Sequence, residues 1–531
     1  MSSFDLAVQG FCPVRWRTGR GPSGVDTGAL GFRDLLVSAH DIADVQVADP
    51  SALAGLLRVL YVMAARVSGL DRVRHPDEFY DYRNELLDTG YFDPKRIEPY
   101  FTAHEGRFEL FHTASERPFL QDRRLMEQCR SSKGVPSSSG VNKLVSGRAA
   151  GQSMVWLSHT TDADMPAVTP ENAVWALLSW LYFGAPGRCT PRQVGETNEA
   201  NTKAGPLRGT VSFHPVGESL FETLVMGMPF GGTETDKSVA PWESDEEDDP
   251  LGVPPEPKGL AGLLTGRFRH AVLLQPSADG TSVTDAWITW SRRQPQGNAL
   301  DPFVIHRVNK DDEPYAATAD ANRQAWRDLD ALIGARNEHT IRPAVFTGLE
   351  DLMDEHRRPV RVKALGFDQD RAQVKDRQHI AGATPALREQ WKAKHSQAPE
   401  AWYRLQQAVE RAELTGSNLE SALTNVWHAL AKTKPNHKVR DHGSRLRHQG
   451  MTAYWDTAEA QFWDIVLADT PPTDATANRF IRCALTAYDE VTAQFTRVGT
   501  GEGGSQIKIV ETARRRLWQG WQSTSGGDSD E

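Results

Sequence analysis

The sequence has few cysteines and no long apolar run, and both absences limit the class of protein. Only four cysteines occur among 531 residues, and none forms a C-x-x-C pair. A disulfide framework and a cysteine-based zinc site are therefore not expected. No stretch reaches the roughly 18–20 uninterrupted apolar residues of a membrane span. The opening MSSFDLAVQGF lacks the basic and apolar regions of a signal peptide. We therefore expect a cytoplasmic protein without a membrane partner.

Familiar catalytic and metal-binding motifs are also missing. The sequence contains no P-loop, no H-E-x-x-H and no G-x-S-x-G. The glycines of residues 499–504 join two predicted helices, unlike the strand-to-helix turn of a dinucleotide site. The acids of residues 243–249 lack the spacing of a calcium loop, and three histidines near residue 442 favour solvated or phosphate-adjacent roles. We predict no catalytic residue, no metal and no cofactor. A cytoplasmic enzyme with a dispersed, unrecognised active site is the alternative.

Acidic charge is concentrated in two short stretches. The composition, with 39% apolar and 24% charged residues, is that of a soluble globular protein, and the length allows two to four domains. The net charge is −10, but residues 243–249 hold six acids and the last four residues hold three. Without these nine acids the net charge is about −1. Three local patches each carry a net charge of +4, and they are residues 122–148, 356–378 and 434–448. Such a patch is either a solvated surface or a surface that contacts the phosphates of a nucleic acid, and charge alone does not favour one interpretation over the other.

The first 380 residues show mixed helix and strand patterns. Apolar periodicity predicts helices over 50–68 and 169–182. Polar, glycine-bearing composition predicts a long mobile loop over 129–152 and a second loop over 184–210. The acidic, proline-bearing residues 232–257 are expected to be a disordered insertion. Runs rich in β-branched and aromatic residues predict strands at 270–276, 285–291, 301–308 and 359–367.

The remainder of the chain, residues 381–531, has only helical patterns. Short polar connectors between successive helices predict antiparallel neighbours in a bundle. The predicted helices are 385–413, 417–433, 450–468, 474–497 and 504–521.

Four stretches together resemble a known family. They are FDLAVQGFCPVRW, GALGFRDLLVSAHDIADV, the block GYFDPKRIEPYF…FELFH…RPFLQD, and TAYWDTAEAQFWDIV near the end. In this order they resemble the CasA family, the large subunit of the type I-E Cascade CRISPR surveillance complex. The chain has Gly10-Phe11 where the family commonly has Pro-Trp. The resemblance implies an α+β fold, with a mixed α/β N-terminal domain carrying long mobile loops and an all-α C-terminal four-helix bundle.

The resemblance also implies a non-enzymatic role in RNA-guided defence. Family members read the protospacer-adjacent motif (PAM) on duplex DNA, start strand separation for the R-loop, and recruit a helicase-nuclease. Base pairing with the guide then reads the remaining sequence. The implied partners are the backbone, 5′-handle-binding and small subunits of Cascade, the guide crRNA, double-stranded target DNA and the helicase-nuclease.

The family's DNA-reading elements correspond to three places in this chain. Its minor-groove loop resembles Ala200, Asn201, Thr202 and Lys203, where small side chains and amide or basic donors suit a minor groove. Arg208 follows and could brace the loop. A lysine that reaches the groove corresponds to Lys310, with Asn309 beside it, although a plain hairpin turn is nearly as good an interpretation.

Two further elements complete the family's pattern. A wedge under the PAM resembles Gln369, Asp370, Arg371 and Ala372, with either Gln369 or Arg371 near its tip. The loop that contacts guide RNA and nearby DNA resembles Val141, Asn142 and Lys143, the alternative being a plain surface loop. The family often has an aromatic residue at position 140, where this chain has glycine.

Overall fold

The structure is a computed structural model whose chain divides into two compact units. The first comprises Met1–Ala321 and Arg336–Arg388, and the second comprises Asn322–Ala335 and Glu389–Glu531. The boundary predicted at residues 380/381 therefore differs from the observed division, which also assigns a separate earlier segment to the helical unit. The structure describes residues 4–111, 117–131, 133–150, 155, 160–161, 163, 165–233, 238–295, 297, 299–333, 339–349, 359–369, 377–387, 399–431, 441–468, 475–496 and 503–525.

A buried helix, Pro50–Ser68, lies at the centre of the first unit. Asp49 caps its start by accepting from the Ser51 N–H at 2.8 Å, and Gly69 ends it in the left-handed conformation at φ +82°. Among the described helices it is the one long and apolar enough to cross a membrane, and 94% of that stretch is buried inside the protein. This burial is that of a core helix, as its periodicity predicts.

The central helix is α2, and the other described helices of this unit are shorter. They are α1 (Phe32–Val37), α3 (Pro76–Thr89), α4 (Pro94–Ala103), α5 (Leu125–Gln128), α6 (Val141–Leu144), α7 (Pro170–Phe183), α8 (Leu220–Met226) and α9 (Gly259–Thr265). Helices α7, α8 and α9 pack against α2. Thr169 caps α7, because its hydroxyl accepts from the Asn172 N–H.

The paired strands of the first unit are antiparallel throughout the described residues. They form three sheets of three strands, in the orders β2-β1-β3, β10-β9-β11 and β13-β12-β6, and two hairpins, β4-β5 and β7-β8. The strands are β1 (Cys12–Trp16), β2 (Thr27–Leu30), β3 (Ile42–Val45), β4 (Gly187–Val194), β5 (Thr197–Thr202), β6 (Val211–Val216), β7 (His270–Pro276), β8 (Val283–Trp290), β9 (His306–Val308), β10 (Pro314–Ala316), β11 (Thr340–Ile341), β12 (Arg361–Gln369) and β13 (Arg377–Ala383).

Four long helices make up most of the described part of the second unit, which confirms the helical bundle. They follow the short helix α10 (Leu329–Ile333) and are α11 (Pro399–Leu430), α12 (Asp441–Val466), α13 (Ala475–Thr496) and α14 (Gly503–Ser525). Trp326 stacks on Phe462 with ring centroids 4.4 Å apart, and the Arg327 guanidinium lies 3.4 Å from the centre of the Trp455 ring. These contacts explain why the segment that begins at Asn322 belongs to this unit.

Two predicted helix boundaries in the bundle are wrong. The polar run TGSN, residues 415–418, was expected to connect two helices, but it continues α11 without a break. Thr415 is 4% exposed and Gly416 lies against Trp455, so packing outweighs the turn preference of these residues. Helix α12 also begins at Asp441, whereas the predicted helix begins at residue 450.

Two segments that were predicted to be irregular have defined structure in their described residues. Residues 184–210, expected to be a loop, contain the hairpin β4–β5. Four acids of the expected disordered insertion, Glu243, Asp245, Glu247 and Asp248, form ion pairs with arginines, of which Glu243 with Arg66 is the most buried, at 2.8 Å. The carboxylates are therefore matched by arginines distant in sequence, which no local pattern can predict.

Candidate nucleic-acid interface

The end of β5 presents an amide and an ammonium group to solvent. Asn201 lies opposite Arg188 in the hairpin, and the side chains of Asn201 and Lys203 are exposed. Ala200 and Thr202 are half-buried on the same strand. Sequence reasoning singled out these four residues, and the structure places Ala200, Asn201 and Thr202 on β5 and Lys203 directly after it.

Hydrogen bonds from Trp290 and Arg293 hold the backbone of this strand. The Trp290 indole N–H donates to the Glu199 carbonyl at 2.9 Å, and the Arg293 guanidinium donates to the Asn201 carbonyl at 3.1 Å. Arg293 also lies 5.4 Å from the centre of the Trp290 ring and 3.6 Å from the Glu199 carboxylate. The backbone under Asn201 is therefore held while its side chain remains exposed. Sequence reasoning missed Arg293, which the packing of β8 against β4 and β5 brings to this strand.

The segment that resembles the guide-RNA loop packs beside the hairpin. Val141 is 0% exposed and Asn142 is 1% exposed, and the Asn142 amide donates to the Thr161 carbonyl at 2.8 Å. In this conformation the Asn142 side chain is not presented to a nucleotide. Lys143 is half-buried, and burial lowers the pKa of its ammonium group below the ordinary 10.5.

Ser139 connects this segment to the strands around it. Its hydroxyl lies 2.5 Å from the Thr190 hydroxyl on β4 and accepts from the Ile288 N–H on β8 at 2.8 Å. Because β4 pairs with β5, helix α6 and the strand carrying Asn201 share one support. The structure therefore brings together two elements that are about sixty residues apart in sequence.

Lys310 lies at the tip of the β9–β10 hairpin, where its side chain is exposed. The Asn309 carboxamide oxygen accepts from the N–H groups of Asp311 and Glu313 at 2.8 and 2.9 Å, so Asn309 shapes the turn. Asp312 completes the turn in the left-handed region at φ +58°. Three acids follow Lys310 directly, which makes the tip as a whole acidic.

Gln369 is the one member of the predicted wedge within the described residues, and Asp370, Arg371 and Ala372 lie outside them. It ends β12 opposite Arg377 of β13. Its carboxamide oxygen accepts from Arg208, whose guanidinium lies 4.5 Å from the centre of the Phe367 ring. Gln369 therefore lies in the last described pair of the β12–β13 hairpin, at its turn end, and Arg208 braces it.

Backbone hydrogen bonds connect the three DNA-reading candidates. The Gly209 N–H, six residues beyond Lys203, donates to the Phe367 carbonyl on β12 at 3.1 Å. The Ala319 N–H, after β10, donates to the Gly209 carbonyl at 2.8 Å. The chain after β5 thus contacts both β12 and the chain that leaves the Lys310 hairpin.

The basic patches are less available than charge counting suggests. In the patch at 122–148, Arg123 pairs with Glu247 at 3.0 Å and Arg124 pairs with Asp122 at 2.8 Å. In the patch at 356–378, Lys363 pairs with Asp44 at 2.8 Å. No group of three or more potential ligands among the described His, Cys, Asp and Glu residues is placed to hold a metal ion.

Comparison with known proteins identifies the family. The model of the CRISPR-associated protein Cse1 family matches residues 5–497. The chain belongs to the Cse1 family. This membership confirms the resemblance to the CasA family, the large subunit of type I-E Cascade, because CasA and Cse1 name the same curated relative in Thermus thermophilus. That relative is 28% identical over 432 residues, which cover 78% of this chain and 76% of the relative.

Solved structures agree with this assignment. A chain from a structure described as a CRISPR RNA-guided surveillance complex is 38% identical, with a TM-score of 0.83 over 98% of this chain and all of that chain. A second, from such a complex in a pre-nicking state, is 36% identical, with a TM-score of 0.76 over 98% and 99%. Cse1 from Acidimicrobium ferrooxidans, at 20% identity and a TM-score of 0.73 over 99% of both chains, shares the fold.

Proposed function

We propose that this chain is the non-catalytic large subunit of a type I-E Cascade complex that reads the PAM in duplex DNA through the minor groove. In this role it opens the duplex for R-loop formation and recruits a helicase-nuclease. Its partners are the other Cascade subunits, the guide crRNA and the target duplex, and it works in the cytoplasm. Membership of the Cse1 family and similarity to chains of surveillance complexes support this role.

The proposal rests on one observation: the Asn201 side chain is exposed on a strand whose backbone is held by Trp290 and Arg293. A minor groove offers acceptors on every base pair and a donor on guanine, and an amide can both donate and accept. Trp290 holds the Glu199 carbonyl and Arg293 holds the Asn201 carbonyl, so little backbone freedom is lost on docking. Lys203 and Lys310 supply charge for the phosphates.

Strand opening is assigned to the β12–β13 hairpin. A wedge must take the place of stacked bases, at a cost of a few kcal/mol per unstacked step. Arg208 stacks on Phe367 and donates to Gln369, and these contacts stiffen the end of β12, which directly precedes residues 370–372 in sequence. We assign Val141, Asn142 and Lys143 a supporting role beside the reading strand, with Lys143 as the group that contacts a nucleic-acid phosphate.

Asn201→Ala in the assembled complex tests the reading strand, with Asn198→Ala as the matched control. Asn198 is exposed on the same strand but its side chain points to the opposite face. Loss of one base-edge contact costs about 1–3 kcal/mol, so we expect Asn201→Ala to weaken binding of PAM-bearing duplex about tenfold or more. Equal affinities for the two variants would contradict the assignment.

The variant Lys310→Ala tests whether Lys310 contacts the DNA phosphates or the base edges of the PAM. A lost phosphate contact weakens binding to intact and scrambled PAM alike and reduces the salt dependence by about one counterion. A loss confined to the intact PAM would assign Lys310 to base reading instead.

A further inference from the structure

An acidic segment covers a row of arginines in the first unit. The segment is Glu243–Asp249, with six acids in seven residues. The arginines come from sequence-distant elements, and each donates to a carboxylate or carbonyl of the segment. They are Arg66, Arg107, Arg117, Arg123, Arg124 and Arg292.

One end of the segment is anchored in the core. The Glu243 side chain is 7% exposed and receives hydrogen bonds from Arg66 at 2.8 Å and from the Tyr100 hydroxyl at 3.0 Å. Trp242 beside it is 2% exposed and packs on Phe119. At the other end the Pro250 carbonyl accepts from the Arg293 N–H at 3.0 Å. These contacts do not involve Asp245–Asp248, so they hold both ends of the segment in place even when those acids lose their arginine partners.

The acids between these anchors, Asp245–Asp248, are less buried than Glu243, and the Glu247 side chain is 30% exposed where it pairs with Arg123. The side chains of Asp245 and Asp248 are 90% and 55% exposed, although they pair with Arg107 and Arg292. Arg117 reaches the Glu246 carbonyl at 2.9 Å, and its charge has no carboxylate partner among the described contacts. A cavity of about 90 Å³ lies under the segment, lined in part by Arg107, Arg117 and Arg124. Exposed ion pairs of this kind are individually weak.

We propose that Arg107, Arg117, Arg123, Arg124 and Arg292 form a second docking surface for the sugar-phosphate backbone of duplex DNA, which Asp245–Asp248 occupy in the free chain. The inference rests on the proposed function in taking duplex DNA as the polyanion. A DNA backbone carries one charge per about 1.7 Å of axis, a denser row than four carboxylates provide, and releases counterions on binding. It therefore competes with the acids for the same guanidinium groups. The surface adds sequence-independent affinity once the duplex displaces the acids.

Neutralising the acids tests this directly. The variant carries Asp245→Asn, Glu246→Gln, Glu247→Gln and Asp248→Asn, and keeps Glu243. The control carries Asp77→Asn, Glu78→Gln, Asp81→Asn and Glu85→Gln on the exposed face of α3, which makes the same change in net charge. Fluorescence anisotropy with a PAM-less duplex measures the affinity of the full chain as a function of salt.

We expect the variant, and not the control, to bind more tightly and with a steeper salt dependence. Each arginine–phosphate contact adds about 0.9 to the slope of log K against log salt, and two or more contacts raise the affinity about tenfold at about 50 mM salt relative to 200 mM. Adding Arg117→Ala and Arg123→Ala to the variant should remove this gain. The proposal would be overturned by an equal rise in DNA affinity in variant and control, or by a gain in affinity that persists after Arg117 and Arg123 are replaced.

The proposed PAM-reading function and the proposed arginine surface are tested by different measurements. If the wild-type chain does not give its complex PAM-dependent binding, the reading role is wrong, whereas the slopes on PAM-less duplex decide the arginine surface alone. Circular dichroism of each variant verifies that the compared proteins are folded.

Discussion

A buried ion pair between Arg58 and Asp301 offers a sharp test of how the first unit is held together. The two terminal nitrogens of Arg58 donate to the two Asp301 oxygens at 3.0 Å, and the side chains are 1% and 7% exposed. Arg267 places a second cation 3.6 Å from the same carboxylate. Asp301 also accepts from the Phe303 N–H at 3.0 Å. It therefore fixes the start of the chain that leads to Lys310.

Asp301→Asn removes the negative charge and leaves both arginines buried. Removing one partner of a buried ion pair costs about 3–5 kcal/mol. With roughly 2 °C lost per kcal/mol in a large domain, the melting temperature of the first unit should fall by about 6–10 °C. Adding Arg58→Met to this variant removes one of the two uncompensated charges, so the double variant should recover part of the loss.

Calorimetry between about pH 7 and pH 3 adds a second readout. Burial alone raises the pKa of Asp301, but the charges of Arg58 and Arg267 outweigh it and hold the pKa below the ordinary 3.8. A carboxylate with a lowered folded pKa contributes stability above its unfolded pKa and loses it as the pH falls through the folded pKa. Asp301→Asn should lack this acid-side loss.

Asp311→Asn, at an exposed turn, is the matched control and should leave the melting temperature unchanged. A melting temperature for Asp301→Asn within about 1 °C of wild type would refute the reasoning.

Three further predictions address other parts of the structure. Glu243→Gln should destabilise the first unit by about 3 kcal/mol in urea titrations. Burial alone raises the pKa of Glu243, but the hydrogen bond from Arg66 outweighs it and lowers the pKa below 4.5, so the variant should also lose less stability as the pH falls below that value. Arg208→Lys keeps the positive charge but loses the planar guanidinium that stacks on Phe367 and donates to Gln369. Amide hydrogen exchange in β12 should therefore become faster, while DNA affinity at high salt is unchanged. Unaltered exchange would contradict the bracing role of Arg208 on Gln369. Trp326→Ala should cost about 3–5 kcal/mol in the helical unit and open residues 322–333 to proteolysis, and an unchanged cleavage pattern would contradict its packing role.

The sequence predicts those elements whose signals are local. Helix Pro50–Ser68 follows from its apolar period and its Asp49 cap, and strand His270–Pro276 has the bounds that its composition predicts. The family resemblance likewise rests on local blocks such as RPFLQD.

The elements that were mispredicted depend on distant partners. The strand carrying Asn201 is too polar to be recognised alone, and it forms because β4 pairs with it and Trp290 supports it. The acidic segment looks disordered until six arginines from other elements are brought to it.

Reconstitution of the complex tests the central claim most directly. A guide-loaded complex lacking its large subunit is mixed with this chain and with duplex targets that carry an intact or a scrambled PAM, and binding is followed by gel shift. We predict that the chain restores binding to the intact-PAM duplex and leaves the scrambled duplex unbound. Equal binding of both duplexes, or no restoration with a cognate complex, would contradict the claim that this chain reads the PAM.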